Sequence, residues 1–446
     1  MATMAETAMA ETTMTANSTW LSSLSIPPEW VGCILELGDR TGMRSGGDTL
    51  VIAAKVTPPD LMPLRELARP GQSVAILLDD CTRKTPTAQI LPSVLAELAA
   101  AGVPPQQITI VVALGTHRPM TPAELHAKLG AAADGPYTVV NTPATDADAF
   151  VHAGFTPSLR PDLHLPPIPA QINRHVLEAD LRIGIGMITP HLDAGFSGGA
   201  KIVLPGVCSL PTVDAFHLAS AFVEGNQLGN PDAPLRLLLE RFVADHAPLH
   251  FIVNTVLAPD GSLHACVAGD PVAAHRAGVE LARQVYGAPA PRRYPVVLAN
   301  CAPYDQDLWQ SIKGAWAGDL LTEDGGDLLL VTAAPEGNSG YKLVPHYAGM
   351  DPDLLRAEIL RGTVEDAMQA ATGVLWGELR RRVRLSLVSR GLNAADAAAM
   401  GADFYPSVEA ATAAAVARLP DSLRRGAVAV IPQAGVALPR PGTGNP

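Results

Sequence analysis

The sequence predicts an α/β protein of two units, a larger N-terminal one with a parallel-rich sheet and a smaller C-terminal α/β one, with a cleft between them. Three observations lead there. From Ser73 onward, short apolar runs alternate with segments of helical spacing, the text of β-α units whose parallel sheet is covered by helices. The stretch Gly287-Ala288-Pro289-Ala290-Pro291 lacks periodicity and suits a hinge, and a second series of apolar runs follows it. At 446 residues the chain is also too long for one ordinary core. The expected division is a disordered tail over 1–25, a catalytic and cofactor-binding unit over 26–288, a closing unit over 292–433 and a loose end over 434–446.

Taken in order, 73–78 is an apolar run ending in Asp79-Asp80, and 88–101 has helical spacing that Gly102 stops. The run 108–114 is a second buried strand, ending in Gly115-Thr116-His117-Arg118. Thr121-Pro122-Ala123-Glu124 opens the next helix with a capping box and proline at its first position. A strand over 181–186 feeds a segment containing His191, and 212–222 reads as a helix carrying His217. Beyond the hinge, 294–300, 328–332 and 427–431 are strands, with an alanine-rich helix over 408–419 before the last.

Composition excludes several classes. Hydrophobic residues make up 48% of the chain and charged ones 17%, a well-buried globular balance. A net charge of −12 without a basic stripe argues against a nucleic-acid partner. No apolar run approaches the roughly 20 residues that cross a bilayer, and the repetitive Met-Ala-Glu-Thr opening has no signal-peptide pattern, so no membrane association is expected. Five scattered cysteines without a CxxC fit a reducing cytoplasm.

The chemistry concentrates in Pro190-His191-Leu192-Asp193-Ala194-Gly195-Phe196-Ser197-Gly198-Gly199-Ala200-Lys201, with His217 on the helix that follows. Three glycines permit positive φ and let backbone N–H groups approach a phosphate. Lysine becomes a nucleophile when its pKa falls, and neutral imidazole is a common metal ligand. Taken singly each signal is bland: Lys201 can be a solvated charge, His217 a polar residue on a half-buried face, and Asp79-Asp80 a turn cap. Position is what joins them. Open parallel sheets bind ligands beyond the carboxyl ends of their strands, so the 80–83, 117 and 191–201 segments are expected to converge.

Four segments together resemble the nickel-dependent lactate racemase family: Asp79-Asp80-Cys81-Thr82-Arg83-Lys84-Thr85-Pro86, the 113–121 segment around His117, the 190–206 segment with His217, and Asp305-Gln306-Asp307-Leu308-Trp309-Gln310-Ser311-Ile312-Lys313-Gly314. The resemblance runs from about Asp79 to Trp376. It implies a racemase or epimerase of 2-hydroxy acids that uses a nickel-pincer nucleotide, a Ni(II)-pyridinium-3,5-bisthiocarboxylic acid mononucleotide. By that resemblance His117 and His191 are the catalytic acid/bases, Lys201 joins the cofactor covalently and His217 is the nickel ligand. Asp80, Cys81, Thr82 and Arg83 contact the cofactor, and Arg83, Gln310, Lys313 and Trp376 hold the substrate. The implied partners are a small 2-hydroxy acid and the enzymes that make the cofactor. Trp309, beside Gln310, is bulky enough to reshape the pocket, so lactate itself does not follow. The resemblance does not give an oligomeric state.

Hydride removal from a carbon bearing OH and COO⁻ gives a planar 2-keto acid that accepts hydride on either face, and it needs a base near neutrality for the hydroxyl proton. Arg83 and Lys313 suit a carboxylate. Two rivals stand beside this reading: an NAD-type 2-hydroxy acid dehydrogenase, disfavoured because no GxGxxG opens a helix after a strand, and a nickel or nucleotide carrier without turnover.

Overall fold

A computed structural model describes residues 20, 23–37, 63–338 and 340–442. Most of the expected N-terminal tail lies outside the described residues.

Two six-stranded sheets organise the chain. The first runs, in spatial order, Leu263–Gly269, Phe251–Leu257, Leu181–Met187, Val74–Asp79, Ile108–Ala113 and Thr138–Val140. Its pairings are parallel except at the edge, where Leu263–Gly269 runs antiparallel to its neighbour. All six residues of Val74–Asp79 are buried, as a central strand covered by helices on both faces requires. The covering helix Thr87–Ala100 turns Ile90, Leu91, Val94 and Leu98 inward, a helical spacing that builds one apolar stripe. Thr121 caps the helix Pro122–Leu129 with both halves of the capping box formed.

The order of this sheet creates the ligand crevice. From Val74–Asp79 the chain proceeds to one side, through Ile108–Ala113 to Thr138–Val140, whereas from Leu181–Met187 it proceeds to the other. The loops leaving the two adjacent central strands therefore diverge, and a cleft opens beyond their carboxyl ends.

The second sheet is wholly parallel: Val31–Ile34, Val428–Ile431, Tyr294–Asn300, Thr322–Thr332, Arg384–Ser389 and Asp403–Phe404. Three expected boundaries change. Val31–Ile34 pairs with Val428–Ile431, so this early segment belongs to the second sheet and not to a unit beginning at 26. The expected hinge is itself a strand, Gly287–Ala290, lying parallel to Leu438–Pro441. The expected loose end after 434 is thus anchored through that same ladder. Pro289 is tolerated because a two-stranded ladder is all edge, where a missing N–H costs little. Among the described residues no helix is long and apolar enough to cross a membrane.

Candidate active site

Side chains from both sheets meet in one cavity of about 220 Å³, lined among others by Asp80, Arg83, His117, His191, Lys201, His217, Gln310 and Lys313. The first sheet contributes through three strand-end loops. The second contributes through Tyr304 and the helix Leu308–Leu321, which follow its strand Tyr294–Asn300.

The loop after Val74–Asp79 is held by charge. Asp79 accepts an ion pair from Lys128 at 2.6 Å and a hydrogen bond from Thr85 Oγ1 at 2.5 Å. The Lys128 ammonium also donates to Arg83 O (3.0 Å), fixing the turn that carries Arg83. Asp80 is 3% exposed. Its Oδ1 accepts from Thr82 N (2.9 Å) and Thr82 Oγ1 (2.5 Å), while its Oδ2 lies 2.5 Å from His117 Nδ1. Burial works against ionisation of Asp80, but the hydrogen bond and charge of His117, the Thr82 hydroxyl and Arg83 outweigh it and hold the carboxyl below its usual range. Asp80 is therefore an ionised carboxylate that orients His117.

Cys81 and Thr82, expected to contact a cofactor, are both exposed and do not line the cavity. The reason is the turn itself: Thr82 folds back to bond Asp80, and Arg83 N donates to Asp80 O (3.2 Å), which carries Cys81 outward. Burial and then the neighbouring Asp80 and Glu124 carboxylates push the Cys81 thiol up, so it is not activated.

His191 begins a short hairpin in which Pro190–His191 pairs with Gly195–Phe196. Its Nδ1 accepts from two backbone amides, Asp193 N at 3.2 Å and Ala194 N at 3.3 Å. Burial first, then the cations Lys201, Lys313 and Arg83 and the His217 ring, hold His191 well below its ordinary pKa. Gly184 and Gly186 lie within the strand that precedes this hairpin, not in a turn opening a helix, which leaves the dehydrogenase reading without its phosphate loop.

The glycine turn has the expected left-handed backbone, with φ of 69° at Gly195, 76° at Gly198 and 59° at Gly199. A Cβ at Gly195 would sit 1.7 Å from Asn230 O. Beneath the turn, the Arg236 side chain, 0% exposed, donates to the carbonyls of Ala194, Gly198 and Phe196. His275 Nε2 bonds Ser197 O at 2.9 Å, and Asn254 Oδ1 accepts from Gly199 N at 2.7 Å. Two amides expected to face a phosphate are thereby used internally, because Lys201 N also donates to Gly198 O (3.3 Å).

Burial, with Arg83 and Arg236 nearby, lowers the Lys201 ammonium to about 7 despite the opposing charge of Asp193. Asp193, which also lines the cavity, is raised to about 7 by burial, and Lys201 opposes that rise. Both groups thus titrate near neutrality. His217 donates Nδ1–H to Val213 O at 2.8 Å, one helical turn back, which leaves Nε2 bare. Burial and Lys201 lower it to about 4. A neutral imidazole oriented through a backbone carbonyl is the usual form of a metal-ligating histidine.

Asp307 caps the helix Leu308–Leu321 by accepting from Gln310 N (2.7 Å), which sets Gln310 and Lys313 on the first turns, facing the cavity. Lys313 Nζ donates to Gln310 Oε1 (2.5 Å) and lies 4.3 Å from the Tyr304 ring centroid. Burial, then Arg83 and Lys201, hold its pKa well below the ordinary lysine value. Trp309 also lines the cavity and stacks on Tyr341 at 4.4 Å between centroids.

Trp376 is a correction. It does not line the cavity but is 2% exposed in the second core, its indole donating to Met400 O at 2.9 Å. The helix Ala367–Arg382 presents Met368, Thr372 and Leu375 to the cavity, one face at helical spacing, and the next residue points about 100° away.

Sequence reading missed Arg236, His275, Asn254, Lys128, Asp193 and Tyr304. Asp193 lay inside the conspicuous motif and could have been found there. The other residues give no local signal, since their roles arise from packing against loops distant in sequence.

The family described as the lactate racemase N-terminal domain matches residues 21–229. A curated lactate racemase from Lactiplantibacillus plantarum is 33% identical over 296 residues, covering 65% of this chain and 66% of that protein. One from Thermoanaerobacterium thermosaccharolyticum is 29% identical over 301 residues, covering 66% and 67%. The aligned stretch thus spans about two thirds of the length of these curated relatives. The solved lactate racemase apoprotein of Thermoanaerobacterium thermosaccharolyticum superposes with a TM-score of 0.78 at 25% identity, covering 94% of this chain and 97% of that one. A Thermotoga maritima structure, at 20% identity and a TM-score of 0.64, shares the fold. With these motifs in one cavity and this fold around it, the chain belongs to the lactate racemase family.

Proposed function

We propose that the protein is an isomerase that inverts C2 of a 2-hydroxy acid through a transient 2-keto acid, using a nickel-pincer nucleotide. The observation that carries this reading is the single cavity in which two imidazoles, a near-neutral amine, a third imidazole with bare Nε2 and a cationic pair converge.

The residues fit the cofactor. Lys201 has an amine that is free to react near neutrality, so it can form a covalent bond to a thiocarboxyl arm. His217 offers one neutral nitrogen. No group of three His, Cys, Asp or Glu side chains suited to a metal exists among the described residues, so a metal here takes its other donors from the cofactor. The turn at Gly198 and Gly199 leaves a cradle that a Cβ would fill: at Gly198 it would lie 2.8 Å from Asn254 Oδ1, and at Gly199 3.0 Å from the His275 ring. Asp80 and Arg83 line the same space. When bound, the cofactor supplies an electrophilic hydride acceptor, chemistry that protein side chains do not provide.

The chain's own residues do the rest. Arg83 and Lys313 hold the carboxylate, with Gln310 steadying the Lys313 ammonium. His117 and His191 flank the reacting carbon, where the hydroxyl proton must move. Approach of the second unit over the cleft excludes water from the step. The five cysteines are all unpaired, which supports a cytoplasmic location alongside the enzymes that make the cofactor.

The test is protein produced together with the cofactor pathway. Intact mass should show an adduct that Lys201→Ala abolishes, and a panel of 2-hydroxy acids should include one whose enantiomers interconvert with the C2 hydrogen retained. Complete exchange of that hydrogen with solvent deuterium would overturn the reading.

A further inference from the structure

We infer that His117 and His191 are not interchangeable: His117 presents a bare Nε2 that takes the hydroxyl proton, and His191 is fixed as a neutral Nε2–H donor to the C2 oxygen. The inference deepens the proposed reaction and rests on it for the identity of the oxygen.

The partner of each ring's other nitrogen decides the matter, since a neutral imidazole carries one proton. His117 Nδ1 faces Asp80 Oδ2 at 2.5 Å, and an ionised carboxylate can only accept. The proton therefore sits on Nδ1, and Nε2 is bare. His191 Nδ1 faces Asp193 N and Ala194 N at 3.2 and 3.3 Å, and backbone amides can only donate. Here Nδ1 is bare and the proton sits on Nε2. The two amides are oriented by the hairpin in which His191 pairs with Gly195. Flipping the ring would present a carbon to both donors and leave them unpaired. The cations Lys201, Lys313 and Arg83 around His191 further disfavour a second proton on it.

One cavity thus contains one acceptor and one donor, complementary to a hydroxyl and then to a carbonyl. The hydroxyl proton passes to His117 Nε2, giving an imidazolium paired with Asp80. The C2–H bond breaks with its electron pair going to the hydride acceptor, and C2–O becomes a carbonyl bonded by His191 Nε2–H. The same proton returns from His117 when hydride comes back to the other face, presented after a half-turn about the C2–O axis. His191 never gives up its proton, which would require an imidazolate.

Nitrogen-15 NMR of histidine-labelled protein reads the tautomers directly and needs neither cofactor nor substrate. Assigned through His117→Gln and His191→Gln, the spectrum should show Nδ1–H for His117 and Nε2–H for His191 at neutral pH. The same tautomer in both rings would overturn the inference, whatever the fate of the racemase reading. In cofactor-loaded enzyme His191→Gln, which keeps an N–H donor, should lose about tenfold in turnover, and His117→Gln on the order of 10³-fold. Equal losses would also overturn it.

Discussion

Replacing Asp80 by Asn separates orientation of His117 from its mere presence. Two donors, Thr82 N at 2.9 Å and Thr82 Oγ1 at 2.5 Å, meet Oδ1. In the variant the amide oxygen must stay there to accept them, so the amide nitrogen replaces Oδ2 opposite His117 Nδ1. An NH₂ group can only donate, so it drives the His117 proton from Nδ1 to Nε2 and removes the base from the cavity. General-base catalysis contributes about 10²- to 10⁴-fold, or roughly 2.7 to 5.4 kcal/mol of barrier. Asp80→Ala has no such group and leaves the ring free to choose, so its loss should be smaller. The expected order of turnover is wild type, then Ala, then Asn. The assay is enantiomer interconversion by cofactor-loaded enzyme, with urea midpoints to confirm that each variant folds. If Asn turned over faster than Ala, or matched the wild type, the orientation argument would fail.

Other consequences follow from the same geometry. Because the Lys201 amine is lowered from 10.5 to about 7, its neutral form predominates above pH 7, and labelling by a limiting acylating reagent should rise with a midpoint near 7; a midpoint near 10.5, read by peptide mass spectrometry, would contradict this. Arg236→Met leaves the carbonyls of Ala194, Phe196 and Gly198 without their buried donor. At about 1–3 kcal/mol for each unmet group, urea unfolding should show a loss of at least about 3 kcal/mol. Trp376→Phe removes the bond to Met400 O and should cost about 1–2 kcal/mol of stability while leaving the KM unchanged, so a raised KM would return that residue to the pocket.

The first sheet was legible because its central strands are unbroken apolar runs with turn residues at their ends. The capping box at Thr121 fixed one helix start in advance. Where local pattern and tertiary pairing diverged, pairing won. Val31–Ile34 is four residues long with alternating exposure, and only the ladder to Val428–Ile431 makes it a strand. The strand Thr322–Thr332 begins well before the apolar run 328–332 because Tyr294 pairs with Thr322 across a register shift, a contact that the polar text Thr322-Glu323-Asp324 does not announce.

The site divides along the same line. Residue types and their positions after strands are local properties, so His117, His191, Lys201, His217, Gln310 and Lys313 could be named from sequence and do share one cavity. Trp376 failed because a helical tryptophan one position away from a cavity-facing Leu375 points elsewhere, a difference of about 100° that a motif match does not resolve. What no motif encodes is the protonation geometry. Two histidines written with the same letter acquire opposite hydrogen-bonding polarity because one meets a carboxylate and the other meets two amides. If the donors around a histidine decide its role, the residues that place those donors matter as much as the rings. Asp80 with Thr82 sets the first ring, and the Gly195 hairpin clamped by Arg236 sets the second. Substitutions at those positions should therefore change which proton moves without touching either histidine.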